Sequence, residues 1–298
     1  MTASRTDFKE SGHIMHCQLL YVSESQAVQV ESLQALIAEH KLPLVLIAEI
    51  LVDKITQKRR QQLSQEFTQP VLLLDDKNKL SWLSDGLSVT PEWDKLQRRV
   101  VSAGRKSELL LQATRITADS YVIDATAGFG HDSLILASTG AQVTMLEQQP
   151  LMALLLLAEQ LRMSALPNWQ KLMARLHIIN TNALSYFASF DNESTANEQA
   201  VDVVYLDPMF PKDSYQDSKT GKGAKVGKHM QALHQLARPP TLDEELQLLQ
   251  SAQKMVRQQG LKQGRVIVKR PQFAPLLAHL APTESWSNEA LRFDGYFV

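Results

Sequence analysis

The sequence predicts an α/β protein built on an open, mostly parallel sheet, with a smaller α+β unit ahead of it. Three observations carry this. Short apolar runs rich in β-branched residues recur at 121–123, 143–146, 176–179, 201–206 and 266–268, lengths that suit buried strands better than helices. Longer apolar or amphipathic stretches at 151–161 and 242–256 fall between them, the alternation that covers a parallel sheet with helices. The strand-like runs also stop at polar residues, among them Asp124, Glu147, Asn180, Asp207 and Lys269, and an open α/β sheet binds its ligands at the carboxyl ends of its strands.

The 298 residues leave room for two domains. Hydrophobic content of 44% and charged content of 21% are ordinary for a soluble protein with a sizeable core. A formal net charge of −1 gives no global basic footprint, so contact with nucleic acid would have to use local patches. Cys17 is the only cysteine, which excludes an internal disulfide and a cysteine-built zinc cage and fits a reducing cytoplasm. No metal site is expected. Residues 1–12 are polar and mixed in charge, without a basic-then-apolar leader. The apolar runs 42–52 and 151–158 are too short to span a bilayer and are expected to be buried elements, so no membrane partner is expected.

Taken in order, 17–22 reads as a strand, and 30–40 as a helix through Leu33, Leu36 and Ile37. A polar, basic piece covers 54–65. Residues 71–74 and 80–83 flank Asp75-Asp76-Lys77-Asn78-Lys79, a turn-rich link that predicts a hairpin. From Thr90 to Lys106 the texture changes, with Arg98, Arg99, Arg105 and Lys106 around Gly104. The domain boundary is placed here, dividing the chain into 1–97 and 98–298. These cations could touch phosphates or belong to a solvated linker, and both readings stand.

A helix is predicted over 108–116. Then Tyr121-Val122-Ile123 runs into Asp124-Ala125-Thr126-Ala127-Gly128-Phe129-Gly130-His131-Asp132-Ser133. Strand, glycine turn and helix in that order form the context of a nucleotide-cofactor loop. Gly128 and Gly130 allow a tight turn and close approach of a ligand. A dinucleotide fingerprint requires a third glycine where Ser133 stands, and Asp132 at the helix start would repel pyrophosphate. A cofactor without phosphates fits better. The next strand ends in Glu147, about twenty residues beyond the glycines, the usual offset for a carboxylate that takes ribose hydroxyls. The helix at 151–161 is core by its leucines. After 176–179, Asn180-Thr181-Asn182-Ala183 offers small polar groups to a base edge, or is an ordinary loop.

The run 201–206 empties into Asp207-Pro208-Met209-Phe210-Pro211. Asp207 can accept a proton or hydrogen bond, the Pro208 carbonyl is aimed by its ring, and Phe210 offers a stacking face, a set that suits a planar ring bearing an amino group. Ending a strand is the plainer alternative. The lysine- and glycine-rich stretch 212–228 matches no phosphate-loop pattern and reads as a basic loop beside the site. Residues 242–256 form an amphipathic helix with Thr241 and Asp243 available for capping. The strand at 266–268 ends in Lys269-Arg270-Pro271, cations that meet phosphate or face water. Residues 291–298 close the chain as an edge or antiparallel strand.

Residues 98–298 resemble the S-adenosylmethionine-dependent Rossmann-like methyltransferases. Asp124-x-x-x-Gly128-x-Gly130 is similar to their first motif, Glu147 to their ribose-binding acid, and Asp207-Pro208-Met209-Phe210 to their [DN]-P-P-[FYW] motif, with Met209 replacing the second proline. Together with Met145-Leu146-Glu147, Val268-Lys269-Arg270-Pro271 and Arg292-Phe293-Asp294, the order of blocks is similar to RsmJ, the bacterial small-subunit (16S) ribosomal RNA guanine-N2 methyltransferase family. The resemblance implies a mostly parallel seven-stranded sheet with one antiparallel strand, S-adenosylmethionine as cofactor, and 16S ribosomal RNA or the small subunit as partner. It implies cofactor contacts at Asp124, Gly128, Gly130, His131, Asp132, Glu147, Gln148, Asn182, Ala183 and Asp207, with Asp207, Pro208 and Phe210 at the reacting amine. His131 and Gln148 stand where the family often has arginine. Methylation of DNA or a protein glutamine, a dinucleotide oxidoreductase, and a non-catalytic RNA-binding module are the rival readings.

Overall fold

The computed structural model describes residues 14–51, 55–190, 200–210, 236–257 and 264–298. The chain forms two sheets. The first has the order β2-β1-β3-β4-β5, built from β1 (Met15–Tyr21), β2 (Leu44–Ile50), β3 (Val71–Leu74), β4 (Leu80–Ser84) and β5 (Leu87–Val89). β1 runs parallel to β2 and β3, and parallel neighbours need crossovers. These are the helices α1 (Ala27–Glu39) and α2 (Gln57–Glu66). The predicted hairpin forms with Val71 opposite Leu83. Its turn is closed by Asp75 Oδ1, which accepts from the amides of Lys77 and Lys79, both at 2.9 Å.

One expectation for this part is corrected. The run 42–52 is not a buried element: β2 is an edge strand with Val45, Ile47 and Ile50 exposed. The polar piece 54–65 carries a helix that buries only Leu63 and is started by Thr56 Oγ1 accepting from the Arg59 amide at 3.1 Å. One buried residue leaves no apolar periodicity to read.

The second sheet has the order β11-β12-β10-β9-β6-β7-β8. Its strands are β6 (Tyr121–Asp124), β7 (Gln142–Glu147), β8 (Leu176–Asn180), β9 (Val203–Leu206), β10 (Arg265–Pro271), β11 (Glu284–Ser287) and β12 (Leu291–Phe297). β12 alone runs against its neighbours, so the expected seven-stranded sheet with one antiparallel strand is what the chain forms. Residues 291–298 are therefore antiparallel but not the edge; the edge is β11, whose Glu-Ser-Trp-Ser sequence carries little strand signal. The chain steps from β6 outward to β7 and β8, then returns to lay β9 and β10 on the other side. β6 and β9 thus flank the point where the strand order reverses, the place where open α/β sheets hold ligands.

The connecting helices are α3 (Gln97–Ser102), α4 (Leu109–Thr114), α5 (His131–Ser138), α6 (Pro150–Ser164), α7 (Gln170–Met173), α8 (Ala183–Phe190) and α9 (Leu242–Arg257). Leu151 through Leu157 of α6 are all buried because this helix meets β7 and β8 on one side and β4 and α1 of the first sheet on the other. A helix apolar all round needs neighbours all round. One hydrophobic core accordingly runs from Cys17 and Leu72 through Leu154 to Val143 and Ile267. The segment 90–106 is packed into this join at Thr90, Pro91 and Trp93, while Arg98, Arg105 and Lys106 are exposed. Trp93 is fully buried, its indole Nε1 donating to the Phe129 carbonyl at 2.7 Å and its amide to Glu159 Oε1 at 3.2 Å. Arg99 is held by Glu108 through two hydrogen bonds of 2.8 and 2.9 Å. Among the described residues no helix is long and apolar enough to cross a membrane.

Candidate active site at the carboxyl ends of the strands

Beyond β6 the chain turns through Gly128 and Gly130, with φ of +54° and +72°, a backbone region that favours glycine. At Gly130 the room left by the missing side chain is filled by the protein. A Cβ there would come within 2.7 Å of Met145 Cε and 2.9 Å of Trp93 Cζ2. Gly130 therefore serves packing beneath the turn. The Gly128 amide donates to Glu147 Oε2 at 3.1 Å. Ser133, standing where a dinucleotide site has its third glycine, is buried and donates its hydroxyl to Asp124 Oδ2. Asp124 also accepts from the Thr126 amide at 3.2 Å, so it fixes the turn from below.

Glu147 ends β7. Its second carboxylate oxygen accepts from the Gln149 amide at 2.7 Å, and its carbonyl accepts from the Thr181 amide and Asn180 Nδ2, tying the end of β8 alongside. Asn182 Oδ1 starts α8 by accepting from the Leu184 amide at 2.8 Å, and its Nδ2 donates to Gln148 Oε1 at 3.1 Å. Ala183 is the first residue of α8, half-buried. The fold thus sets Gly128, Glu147, Gln148, Asn182 and Ala183 on one rim. Burial pushes the carboxyls of Asp124 and Glu147 each up to about 7, against the hydrogen bonds they accept.

Asp207 follows β9 on the same rim. Its amide donates to Thr126 Oγ1 at 2.6 Å, which joins the loop after β9 directly to the glycine turn after β6. Its Oδ2 accepts from Lys269 Nζ at 2.9 Å, and the same ammonium donates to Asp132 Oδ2 at 2.7 Å. Tyr205 OH adds a third contact, donating to Asp132 Oδ2 at 2.7 Å. Burial works to raise the Asp132 carboxyl, but the Lys269 charge and hydrogen bond, with the Tyr205 hydroxyl, hold it below its ordinary range. At Asp207 burial, helped by the negative Asp132, outweighs Lys269 and raises the carboxyl. Lys269, between two carboxylates, keeps its proton more tightly than a free lysine despite burial.

Three site expectations change. Lys269 and Arg270 neither meet phosphate nor face water: Lys269 bridges the two aspartates, and Arg270 is 3% exposed and paired with Glu245 Oε1 at 2.8 Å. Phe210 does not present an open stacking face. It is buried, and the Arg270 guanidinium lies 4.6 Å from its ring centroid. His131 commits its ring to the protein, with Nε2 donating to the Pro91 carbonyl at 2.6 Å, and burial lowers its pKa. Pro208 is buried beside Asp207. The basic stretch 212–228 and Pro211 lie outside the described residues. Thr126, Ser133, Tyr205 and Lys269 are site residues that sequence reasoning did not assign; for Lys269 the signal was its place at a strand end.

The chemistry of this rim tests the cofactor. Among the described residues, Asp124, Asp132, Glu147 and Asp207 supply carboxyl groups against the single ammonium of Lys269. Such a lining opposes phosphate and favours a ligand that brings its own positive charge and hydroxyl donors. S-adenosylmethionine, with a sulfonium, an ammonium and a ribose, is such a ligand, and Glu147 with the Gly128 turn would hold its ribose end. Sheet order and rim chemistry together define a Rossmann-like methyltransferase that uses S-adenosylmethionine.

Comparison with known proteins narrows the class. Residues 47–298 match the SAM-dependent methyltransferase family SAM_MT. The chain is 85% identical over 285 residues to the ribosomal RNA small subunit methyltransferase J of Psychrobacter arcticus, covering 95% of this chain and 96% of that protein. It is 38% identical over 225 residues to the protein of that name from Acinetobacter baumannii (strain SDF), covering 74% and 76%. Among solved structures, the SAM-dependent methyltransferase from Neisseria gonorrhoeae superposes with a TM-score of 0.63 at 26% identity, covering 94% of this chain and 95% of that one. The chain belongs to the ribosomal RNA small subunit methyltransferase J family.

Proposed function

We propose that the protein methylates the exocyclic N2 amine of a guanosine in 16S ribosomal RNA, free or in the small subunit, within the cytoplasm. The observation that carries this is the hydrogen bond between the Asp207 amide and Thr126 Oγ1, which sets the amine-binding loop against the cofactor turn. When bound, S-adenosylmethionine supplies a methyl group already activated by its sulfonium, so the protein's work is positioning and charge. Asp124, Gly128, Glu147, Gln148, Asn182 and Ala183 are assigned to the cofactor, with Asp132 completing that wall.

The amine lone pair is conjugated with the guanine ring and must be drawn out of plane before it can attack. Lys269 engages one Asp207 oxygen; the other oxygen and the Pro208 carbonyl are assigned to the two amine N–H groups, which favours a pyramidal nitrogen. The methylated nitrogen then loses a proton, and Asp207, whose proton affinity burial raises, is the acceptor. Phe210 with Arg270 forms the wall behind this loop. Residues 1–97 and 98–298 are taken as the two units, a division supported by each sheet lying wholly on its own side.

The test is incubation with labelled methyl donor and undermethylated small subunits, followed by mapping of the modified nucleotide. Label in a 16S guanosine at N2, lost with Asp207→Ala, is the expected result. Label appearing in DNA or protein instead, or wild-type label levels with Asp207→Ala, would sink the proposal.

A further inference from the structure

Among the residues whose burial is described, Phe273 is the only Phe, Tyr or Trp left exposed, at 74%. A lone exposed apolar side chain is ordinary and by itself means little. What distinguishes Phe273 is its mounting and its place. It sits on the turn that leaves β10, where the Ala274 amide donates to the Pro271 carbonyl at 3.1 Å. The carbonyls on either side of it, Gln272 and Ala274, accept from Arg292 Nη1 and Nη2 at 2.9 and 3.1 Å. Arg292 is in turn gripped by both oxygens of Asp294, a fully buried carboxylate, at 2.9 and 3.0 Å. The Arg292-Phe293-Asp294 block thus has a structural task, to clamp the backbone that carries Phe273.

The turn also lies at the mouth of the site. β10 pairs with β9 in parallel, Val268 opposite Leu206, so both strands deliver their ends to one edge. Phe273 follows Lys269, which touches Asp207, by four residues, a chain reach of at most roughly 14 Å. Phe210 is buried under Arg270, which among the described residues leaves Phe273 as the aromatic face available at this edge.

We propose that Phe273 is a stacking platform for an unpaired base of the RNA strand that enters the site. An RNA base must be splayed from its stack to reach an active site, and aromatic side chains replace the lost stacking. A ring held on a clamped turn gives up little freedom in doing so. This inference rests on the RNA substrate proposed above.

The experiment compares wild type, Phe273→Ala, Phe273→Leu and Phe273→Trp. Two readouts are used: methylation of undermethylated small subunits, and fluorescence quenching of a single-stranded oligoribonucleotide carrying 2-aminopurine. With Phe273→Ala and Phe273→Leu, KM for the subunit and Kd for the oligonucleotide are expected to rise about 5- to 150-fold, the range of one lost base stack. Phe273→Trp restores both, and melting temperature and cofactor affinity stay at wild-type values. Wild-type KM and quenching in Phe273→Leu, which keeps apolar area and loses the ring face, would overturn the platform. If wild type stacks the oligonucleotide yet methylates no ribosomal RNA, the substrate reading fails and the platform survives, so the two failures are distinguishable.

Discussion

The two halves of the rim handle buried acids in opposite ways. On the β6 and β7 side, Asp124 and Glu147 are satisfied by uncharged donors, the amides of Thr126, Gly128 and Gln149 and the hydroxyl of Ser133. Across the rim, Asp132 at the start of α5 and Asp207 after β9 share the ammonium of Lys269 from β10. Neutral donors only partly repay burial, and both acids on the first side rise to about 7. A shared cation repays enough to hold Asp132 below its ordinary range, while burial still raises Asp207, its partner on the same ammonium. The first side is thereby suited to receiving hydroxyl donors and positive charge from a cofactor. The second is already charge-paired before any ligand arrives.

The largest effect that can break this contrast is on turnover. Asp207→Ala is expected to lower kcat for methyl transfer by about a hundred- to ten-thousandfold, the range for a positioned proton acceptor, while calorimetric cofactor affinity stays within a few-fold. Loss of cofactor affinity in step with turnover would mean that the two halves are not separable.

Next comes the cation. Lys269→Met leaves Asp132 and Asp207 facing each other, and breaking a buried pair costs about 3–5 kcal/mol. With Lys269 at 21% side-chain exposure, the low end is expected. The deficit read from urea unfolding should be widest at pH 7 and narrow below pH 5, where protonation relieves the repulsion. Lys269→Arg should recover part of it.

The first half predicts a pH dependence. Asp124 and Glu147 have folded values near 7 against ordinary values of 3.8 and 4.5. Between those limits the folded state binds more protons than the unfolded one, so stability falls as pH rises from about 4 to 7 and then levels. The cofactor-free protein should lose stability across that window, visible as a lower melting temperature at pH 8 than at pH 6. Glu147→Gln should remove much of the slope. The smallest effect sharpens the division of labour: Glu147→Ala is expected to weaken cofactor binding about 10-fold and leave RNA affinity unchanged by filter binding.

The contrast also marks how far sequence could be read. The strands ending at Asp124, Glu147 and Asp207 are legible because β-branched runs stop abruptly at acids, and the two glycines fix the turn between them. The leucines of α6 declare burial but not that they serve two sheets. Lys269 is visible as a cation at a strand end, yet its partners lie 62 and 137 residues away, a separation no local pattern encodes. Phe210 was misread for a related reason. Whether an aromatic ring faces water depends on Arg270, which arrives from another strand. The segment around Trp93 looked like a connector because its charges alternate with a few apolar residues, and only tertiary packing shows which of them is enclosed.

Trp93 bears on any attempt to trim the protein. Its indole grips the carbonyl of residue 129 and fills the space over Gly130, yet it lies upstream of the sheet that carries the site. A shortened version keeping only the second sheet would lose the keystone under its own donor-binding turn. Such a fragment should grip the methyl donor poorly even though every residue assigned to that task is still present.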